Sequence, residues 1–123
     1  MPIDLFKPFI IGNMELKNRF VRSSTQDALA DASGAVTDAS LDLYRSLAKG
    51  GSGLIITGVT FISLQGKRSK IQYGIYNDDM IWGMRKLVRV THQEGAKIAL
   101  QLHHGGIYSQ SQHNGDPVLA VSK

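Results

Sequence analysis

The chain has 123 residues, 42% hydrophobic and 20% charged, with a formal net charge of +4 and no cysteine. Those values suit one globular domain with a real core, and they exclude disulfides and thiolate metal sites within this chain. No basic n-region follows Met1, and no apolar run approaches the roughly 18 residues of a membrane span, so the sequence predicts a cytoplasmic protein without a membrane partner. The positive charge does not make a nucleic-acid footprint. The densest basic cluster is Lys67-Arg68-Ser69-Lys70, and Arg85, Lys86 and Arg89 read as a solvated helix face.

Taken in order, Phe9-Ile10-Ile11 and Met14-Glu15-Leu16-Lys17 read as the arms of a hairpin. Gly12-Asn13 supplies the turn, since both residue types tolerate positive φ. A short strand follows near residues 19–22, ended by Ser23-Ser24-Thr25. Gln26 to Val36 has little periodicity and reads as a loop. Thr37 is a predicted N-cap with Asp38 at the positive end of a helix dipole, and Leu41, Tyr44, Leu47 and Ala48 give that helix one apolar face. Lys49-Gly50-Gly51 stops it.

Leu54-Ile55-Ile56-Thr57 is a second strand, and Gly58-Val59-Thr60 begins a loop expected to run to about Asn77. Asn77-Asp78-Asp79 caps a second helix, Met80 to about Glu94, with an apolar face of Ile81, Met84, Leu87 (or Val88) and Thr91. Gly95 ends it. The third strand covers residues 97–101, and its Ile98-Ala99-Leu100 run predicts burial on both faces. A polar tail from Gly106 to Asp116 and a short apolar piece, Val118-Leu119-Ala120-Val121, close the sequence. Strand–helix alternation predicts parallel strands, with the long loops on their C-terminal side, where α/β folds keep their ligands.

Several chemical motifs are absent or incomplete. Gly51-Ser52-Gly53 precedes a strand instead of following one, which excludes a dinucleotide fingerprint. His103 and His104 are strand neighbours pointing to opposite faces, a poor chelating pair; His104 reads as a pocket hydrogen-bonding residue or as a structural histidine. His92 lies on the second helix and His113 alone in a polar loop. Ser24 has no histidine and acid at a triad spacing. What remains is a convergence of strand ends: Ser23, Ser24 and Thr25 with Gly58-Val59 and Gln101. They offer hydroxyls, an amide and close backbone approach, with no acid, base or nucleophile. Gln101 is either a satisfied core glutamine or an amide aimed at a planar polar ligand.

The stretches Leu5-Phe6-Lys7-Pro8, Ile11-Gly12-Asn13-Met14-Glu15-Leu16-Lys17-Asn18-Arg19, AKGGSGLIITG at 48–58 and GAKIALQLHHGG at 95–106 together resemble the old yellow enzyme family of NADH:flavin oxidoreductases, ene-reductases and dienoyl-CoA reductases. The resemblance runs from about residue 5 to the chain end. It implies an α/β chain that is the N-terminal part, residues 1–123, of an FMN-binding (β/α)8 TIM barrel, with a preceding hairpin at 9–17, three parallel strands and two helices. A whole barrel takes about 250 residues.

The resemblance also implies FMN as cofactor and NAD(P)H as reductant. Ser23, Ser24, Thr25 and Gln26 would lie along the flavin, the Val59 backbone would approach its ring, and Gln101 would bond its pyrimidine edge. The substrate would be a small enone or enoyl compound with an activated C=C bond. The family's substrate-binding histidine pair, flavin-contacting arginine, phosphate loops and tyrosine proton donor lie further on, so no catalytic residue is assigned here. Departures from the family pattern are Ser24 for proline, Thr25 for methionine or leucine, Gln26 for cysteine, threonine or histidine, Gly58 for glutamate, Gly105 for alanine and Ile107 for arginine. The pattern is closer to the dienoyl-CoA reductase and uncharacterised bacterial branch than to the yeast-like branch. The activity would belong to the whole barrel, and this chain alone is expected to be inactive. The open edges of three parallel strands predict a homo-oligomer, and the alternative to an enzyme segment is a non-catalytic half-barrel that self-associates.

Overall fold

Two strands run longer than the sequence predicts. In the computed structural model, which describes residues 4–110 and 117–122, the strand expected at 97–101 runs on to His103, and the one expected at 54–57 is β4 (Leu54–Phe61). Before it come β1 (Phe9–Ile11), β2 (Met14–Leu16), β3 (Val21–Arg22) and α1 (Asp38–Lys49). After it come β5 (Tyr73–Gly74), α2 (Ile81–Gln93) and β6 (Lys97–His103). His113 and the tail from 111 to 116 lie outside the described residues.

β1 and β2 pair antiparallel, and β3, β5 and β6 all pair parallel to β4. β6 runs along β4 at both ends, from Leu54↔Lys97 to Phe61↔His103. A strand has two edges, so β3 and β5 share the other one, β3 at Leu54 and Ile55 and β5 at Thr60 and Phe61. The predicted loop from Gly58 is therefore strand as far as Phe61. β5 was not anticipated, because two residues carry no periodicity.

α1 forms as expected. The Thr37 hydroxyl accepts from the Ser40 N–H, and Ser40 returns the bond to the Thr37 N–H, closing a capping box. Gly50 at its C-terminal end stays right-handed, and it is Gly51 that takes φ +105°. In the hairpin turn only Gly12 uses positive φ, at +59°. Both helices cover one face of the sheet. Tyr44, Ala48, Ile55, Tyr73, Leu87 and Ala96 form the core between them, with Met84 and Ile98 packed at its border.

Two expectations about burial need correction. Of the predicted face of α2, Leu87 and Thr91 are buried and Met84 packs against the core, but Ile81 and the alternative Val88 are exposed, and Val90 joins the buried face. A 3-10 turn at Asp78–Met80 precedes the helix and rotates its entry, so Met80 enters the core in place of Ile81. β6 is not buried on both faces: Ile98 and Leu100 are half-buried and Ala99 is exposed. Its only pairing is with β4, so one edge and one face are uncovered among the described residues. An apolar cleft of about 180 Å³ between α2 and β6, lined by Met84, Leu87, Val88, Ile98 and Leu100, marks the same incompleteness.

At the N-terminal end of the strands the hairpin is fastened by two side chains. Lys17 Nζ donates to Ala48 O at 3.3 Å and to Glu94 O at 3.2 Å, the last carbonyls of α1 and α2, where a cation complements both helix dipoles. Asn18, buried to 9%, donates through Nδ2 to Gly51 O at 2.7 Å and accepts the Phe20 N–H at 3.0 Å. Gly53 must be glycine beside it, since a Cβ there would sit 2.6 Å from Asn18 Oδ1.

Asn18→Ala orphans both partners and is expected to cost about 1–3 kcal/mol of stability. Lys17→Met is expected to cost about 0.3–1 kcal/mol, shrinking in high salt. Urea denaturation at two salt concentrations checks both. Equal losses for the two variants would contradict this ranking.

Candidate functional site

β4 carries one more residue than β6 can match. The register passes from Ile56↔Ala99 to Val59↔Gln101, so Thr57 and Gly58 together stand against Leu100. Such a bulge breaks the ladder and leaves backbone donors to be satisfied elsewhere. Two side chains do this. Thr57 Oγ1 accepts the Gln101 N–H at 3.1 Å, and Tyr44 Oη, from α1, accepts the Gly58 N–H at 3.1 Å. Thr57 is 1% exposed and Tyr44 2% exposed, so water cannot substitute at either point. Burial pushes the Tyr44 phenol up to about 12, with the Asp27 charge adding to the push, so it remains a neutral hydroxyl.

The bulge also brings in the segment that follows β3. A Cβ on Gly58 would lie 3.0 Å from Thr25 O and 3.4 Å from Gln26 Cα, so a small residue here lets that backbone lie against β4. Ser24 is half-buried, and its hydroxyl donates to Gln101 Oε1. Val59 is the register partner of Gln101. Ser24, Val59 and Gln101 therefore meet on one face, with Thr25 and Gln26 against Gly58 beside them. Ser23 is the outermost: its carbonyl accepts from Arg22 Nη1 and Thr25 Oγ1, each at 3.2 Å. Ser23, Thr25, Gln26 and Gln101 are exposed. Gln101 is thus no core glutamine. With its carbonyl oxygen engaged by Ser24, the amide turns its NH2 group outward.

The loops above this face are tied to one another. Lys67, the first residue of the densest basic cluster in the sequence, is 3% exposed. Its ammonium donates to Ala32 O at 2.6 Å and lies 5.1 Å from the Phe61 ring centroid. Burial lowers its proton affinity, and Asp31 opposes that shift. Gly74 N–H donates to Gly34 O at 2.9 Å, and Gly105 N–H to Gly66 O at 2.9 Å. His104 packs its ring over Gly66, where a Cβ would come within 2.6 Å, and accepts the Gly106 N–H on Nδ1 at 3.1 Å.

Sequence reasoning missed Tyr44, read only as part of an apolar stripe, and Gln72, one polar residue in a long loop. Gln72 is 2% exposed and its Nε2 lies 3.2 Å from His103 Nδ1. Among the described residues no cluster of three or more His, Asp or Glu could hold a metal ion, and no helix is long and apolar enough to cross a membrane. The polar groups of this face are mostly exposed. Among the described residues a concave spot of about 410 Å³ lies at the hairpin end between Phe6, Asn18, Phe20 and Gly50 to Ser52.

Comparison with known proteins gives a consistent result. The model of the NADH:flavin oxidoreductase / NADH oxidase family matches residues 4–122. A metal reductase of Desulforamulus reducens is 36% identical over 121 residues, 96% of this chain and 17% of that protein. An NADPH dehydrogenase of Bacillus cytotoxicus is 35% identical over 119 residues, 96% of this chain and 34% of its own length. The solved structure of the old yellow enzyme homologue from Zymomonas mobilis superposes with a TM-score of 0.90 at 27% identity, covering 98% of this chain and 33% of that one. The chain therefore spans about a third or less of the relatives it matches, and its fold corresponds to part of their (β/α)8 barrel.

Tyr44→Phe leaves the buried Gly58 N–H without an acceptor and is expected to cost about 1–3 kcal/mol, read as a lower urea midpoint. A midpoint equal to that of the unmodified chain would contradict the bulge account.

His103 gives a pH dependence. Burial lowers its proton affinity below the ordinary value of 6.5, with Arg68 and His104 adding repulsion. The unfolded chain then binds this proton first, so stability falls as pH drops below 6.5 and levels off once folded His103 protonates. Thermal unfolding between neutral and mildly acid pH should show a shallower fall in His103→Asn.

Proposed function

We propose, from the premise that the chain belongs to the NADH:flavin oxidoreductase / NADH oxidase family, that the face around Gln101 is its share of an FMN site. FMN is the cofactor that membership implies, with NAD(P)H as reductant. When bound, FMN supplies hydride-transfer chemistry between NAD(P)H and, in this reading, the activated C=C bond of a small enone or enoyl compound.

The observation that carries the reading is the Ser24–Gln101 pair. Ser24 fixes the amide oxygen, so Gln101 offers two N–H donors to the rim of a flat ligand. Donors of this kind stabilise negative charge that builds on a facing acceptor. The polar set fits a planar polar ring: the Ser23 hydroxyl, amides at Gln26 and Gln101, an accepting oxygen at Thr25, whose own proton goes to Ser23 O, and an apolar support at Val59. It contains no anion-binding loop for a phosphate and no group to move a proton. This chain's part is therefore binding and orientation, and the catalytic acid and the substrate pocket belong to other residues.

A second reading has its own observation. Among the described residues β6 has a free edge, and Leu102, Ile107 and Tyr108 beside it are each more than 60% exposed, at 63%, 66% and 74%. Such a surface supports self-association of a non-catalytic half-barrel, consistent with an expected homo-oligomer. Light scattering separates the cases, because a monodisperse monomer contradicts the self-associating one.

For the flavin reading, FMN is added to the purified chain, the excess is removed and the visible spectrum is recorded. A retained band is expected. Gln101→Leu should weaken binding by about tenfold, the equivalent of about 1.4 kcal/mol for the lost hydrogen bonds. A chain that keeps no flavin, or a variant that keeps it equally well, would contradict the assignment of this face.

A further inference from the structure

The loop between β4 and α2 buries an amide that has one usable orientation. Gln72 is 2% exposed. Its Oε1 accepts two backbone donors, Arg68 N–H at 3.0 Å and Ser69 N–H at 3.3 Å. Turning the amide over would set an NH2 group against two N–H donors in a buried place, losing both bonds. Its Nε2 is therefore the donor toward His103 Nδ1, 3.2 Å away. An imidazole nitrogen that accepts carries no proton, so the ring's proton sits on Nε2.

His103 lies on β6 two residues beyond Gln101. Strand residues at that spacing share a face, separated by about 6.6 Å. His103 thus stands on the same side as the Gln101 amide, further toward the C-terminal end. It is half-buried, neither sealed in the core nor free in water. The charged and titratable groups that act on it, Arg68 from the same loop as Gln72 and His104 beside it, both oppose a second proton on the ring.

We propose that Gln72 is a positioning residue that locks His103 as the neutral Nε2–H tautomer, so that His103 presents a fixed hydrogen-bond donor to a carbonyl oxygen of the small molecule held over Gln101. The arrangement differs from a histidine acid: the ring donates a hydrogen bond without giving up its proton. The oxygen could belong to the flavin or to its substrate. The identity of that molecule rests on the flavin reading above, and the tautomer does not.

Long-range nitrogen–proton NMR of 15N-histidine-labelled protein tests the lock directly. The unmodified chain is expected to show His103 as one Nε2–H tautomer. Gln72→Leu should bring in a mixture. Gln72→Glu keeps the two backbone bonds but cannot donate, so it should move a proton to Nδ1. A mixed or Nδ1–H ring in the unmodified chain overturns the proposal, and this needs no variant to fold. So does a Gln72→Glu spectrum unchanged at His103.

FMN and then 2-cyclohexenone, a small enone probe, are added to the same sample. Movement of the Nε2–H signal at the first addition assigns the acceptor to the flavin, and movement at the second assigns it to the enone. Flavin retained with no movement at either step overturns the donor role. Failure to retain flavin counts against the flavin reading instead, and the tautomer spectra then decide the lock.

Discussion

The extra residue in β4 is the constraint from which the candidate site follows. Two residues facing one would ordinarily weaken a parallel ladder. Here the two donors that the bulge would strand are the Gln101 N–H and the Gly58 N–H, and each has a buried side-chain oxygen waiting, Thr57 Oγ1 and Tyr44 Oη. The bulge thus becomes a fixed joint. It ties α1 to β4 through Tyr44 and β4 to β6 through Thr57. Because Gly58 lacks a Cβ, the same joint lets the Thr25–Gln26 backbone lie against the sheet. Ser24 then reaches Gln101, and a polar face exists before any ligand arrives.

The two ends of the sheet are built on different principles. At the N-terminal end Lys17 and Asn18 use their polar atoms on helix and turn carbonyls, which is structural work. At the C-terminal end polar groups such as Gln101 and the hydroxyls of Ser23 and Thr25 remain exposed, while the loops around them are cross-tied by Lys67, Gln72 and backbone bonds. This division, with polar atoms consumed at one end and left exposed at the other, is the expected one for parallel strands in a barrel. Among the described residues β6 ends the sheet with an uncovered edge, and apolar residues such as Ala99 and Leu102 are exposed.

The legible parts of the sequence were those with local physical signals. The Thr37 cap, the glycine stops at Gly51 and Gly95 and the periodic face of α1 each depend on neighbours within a few residues. Gln101 was conspicuous because an amide interrupts an apolar run. What could not be read depends on distant partners. Nothing local distinguishes Gly58 as a bulge from Gly58 as a loop start; only pairing with β6 decides it. Nothing near Lys67 in the sequence marks it as buried; its partner is the carbonyl of Ala32, 35 residues away. Gln72 gives no signal, since its role comes from backbone donors at Arg68 and Ser69 and from His103 on another strand. The face of α2 was legible at Met84, Leu87 and Thr91, and it failed only at its first member, Ile81, where a 3-10 turn puts Met80 in the core instead.

The central claim is that the face around Gln101 is prebuilt by the bulge. Amide hydrogen exchange, measured by NMR without flavin, tests it most directly. The Gly58 and Gln101 amides should be protected to the level of Ile55 and Ile98 in the regular part of the ladder, because each is bonded to a buried side-chain oxygen. Exchange at Gly58 and Gln101 as fast as at the exposed Ser23 would mean that the joint is open in the free chain, and the account of a preformed site would be wrong.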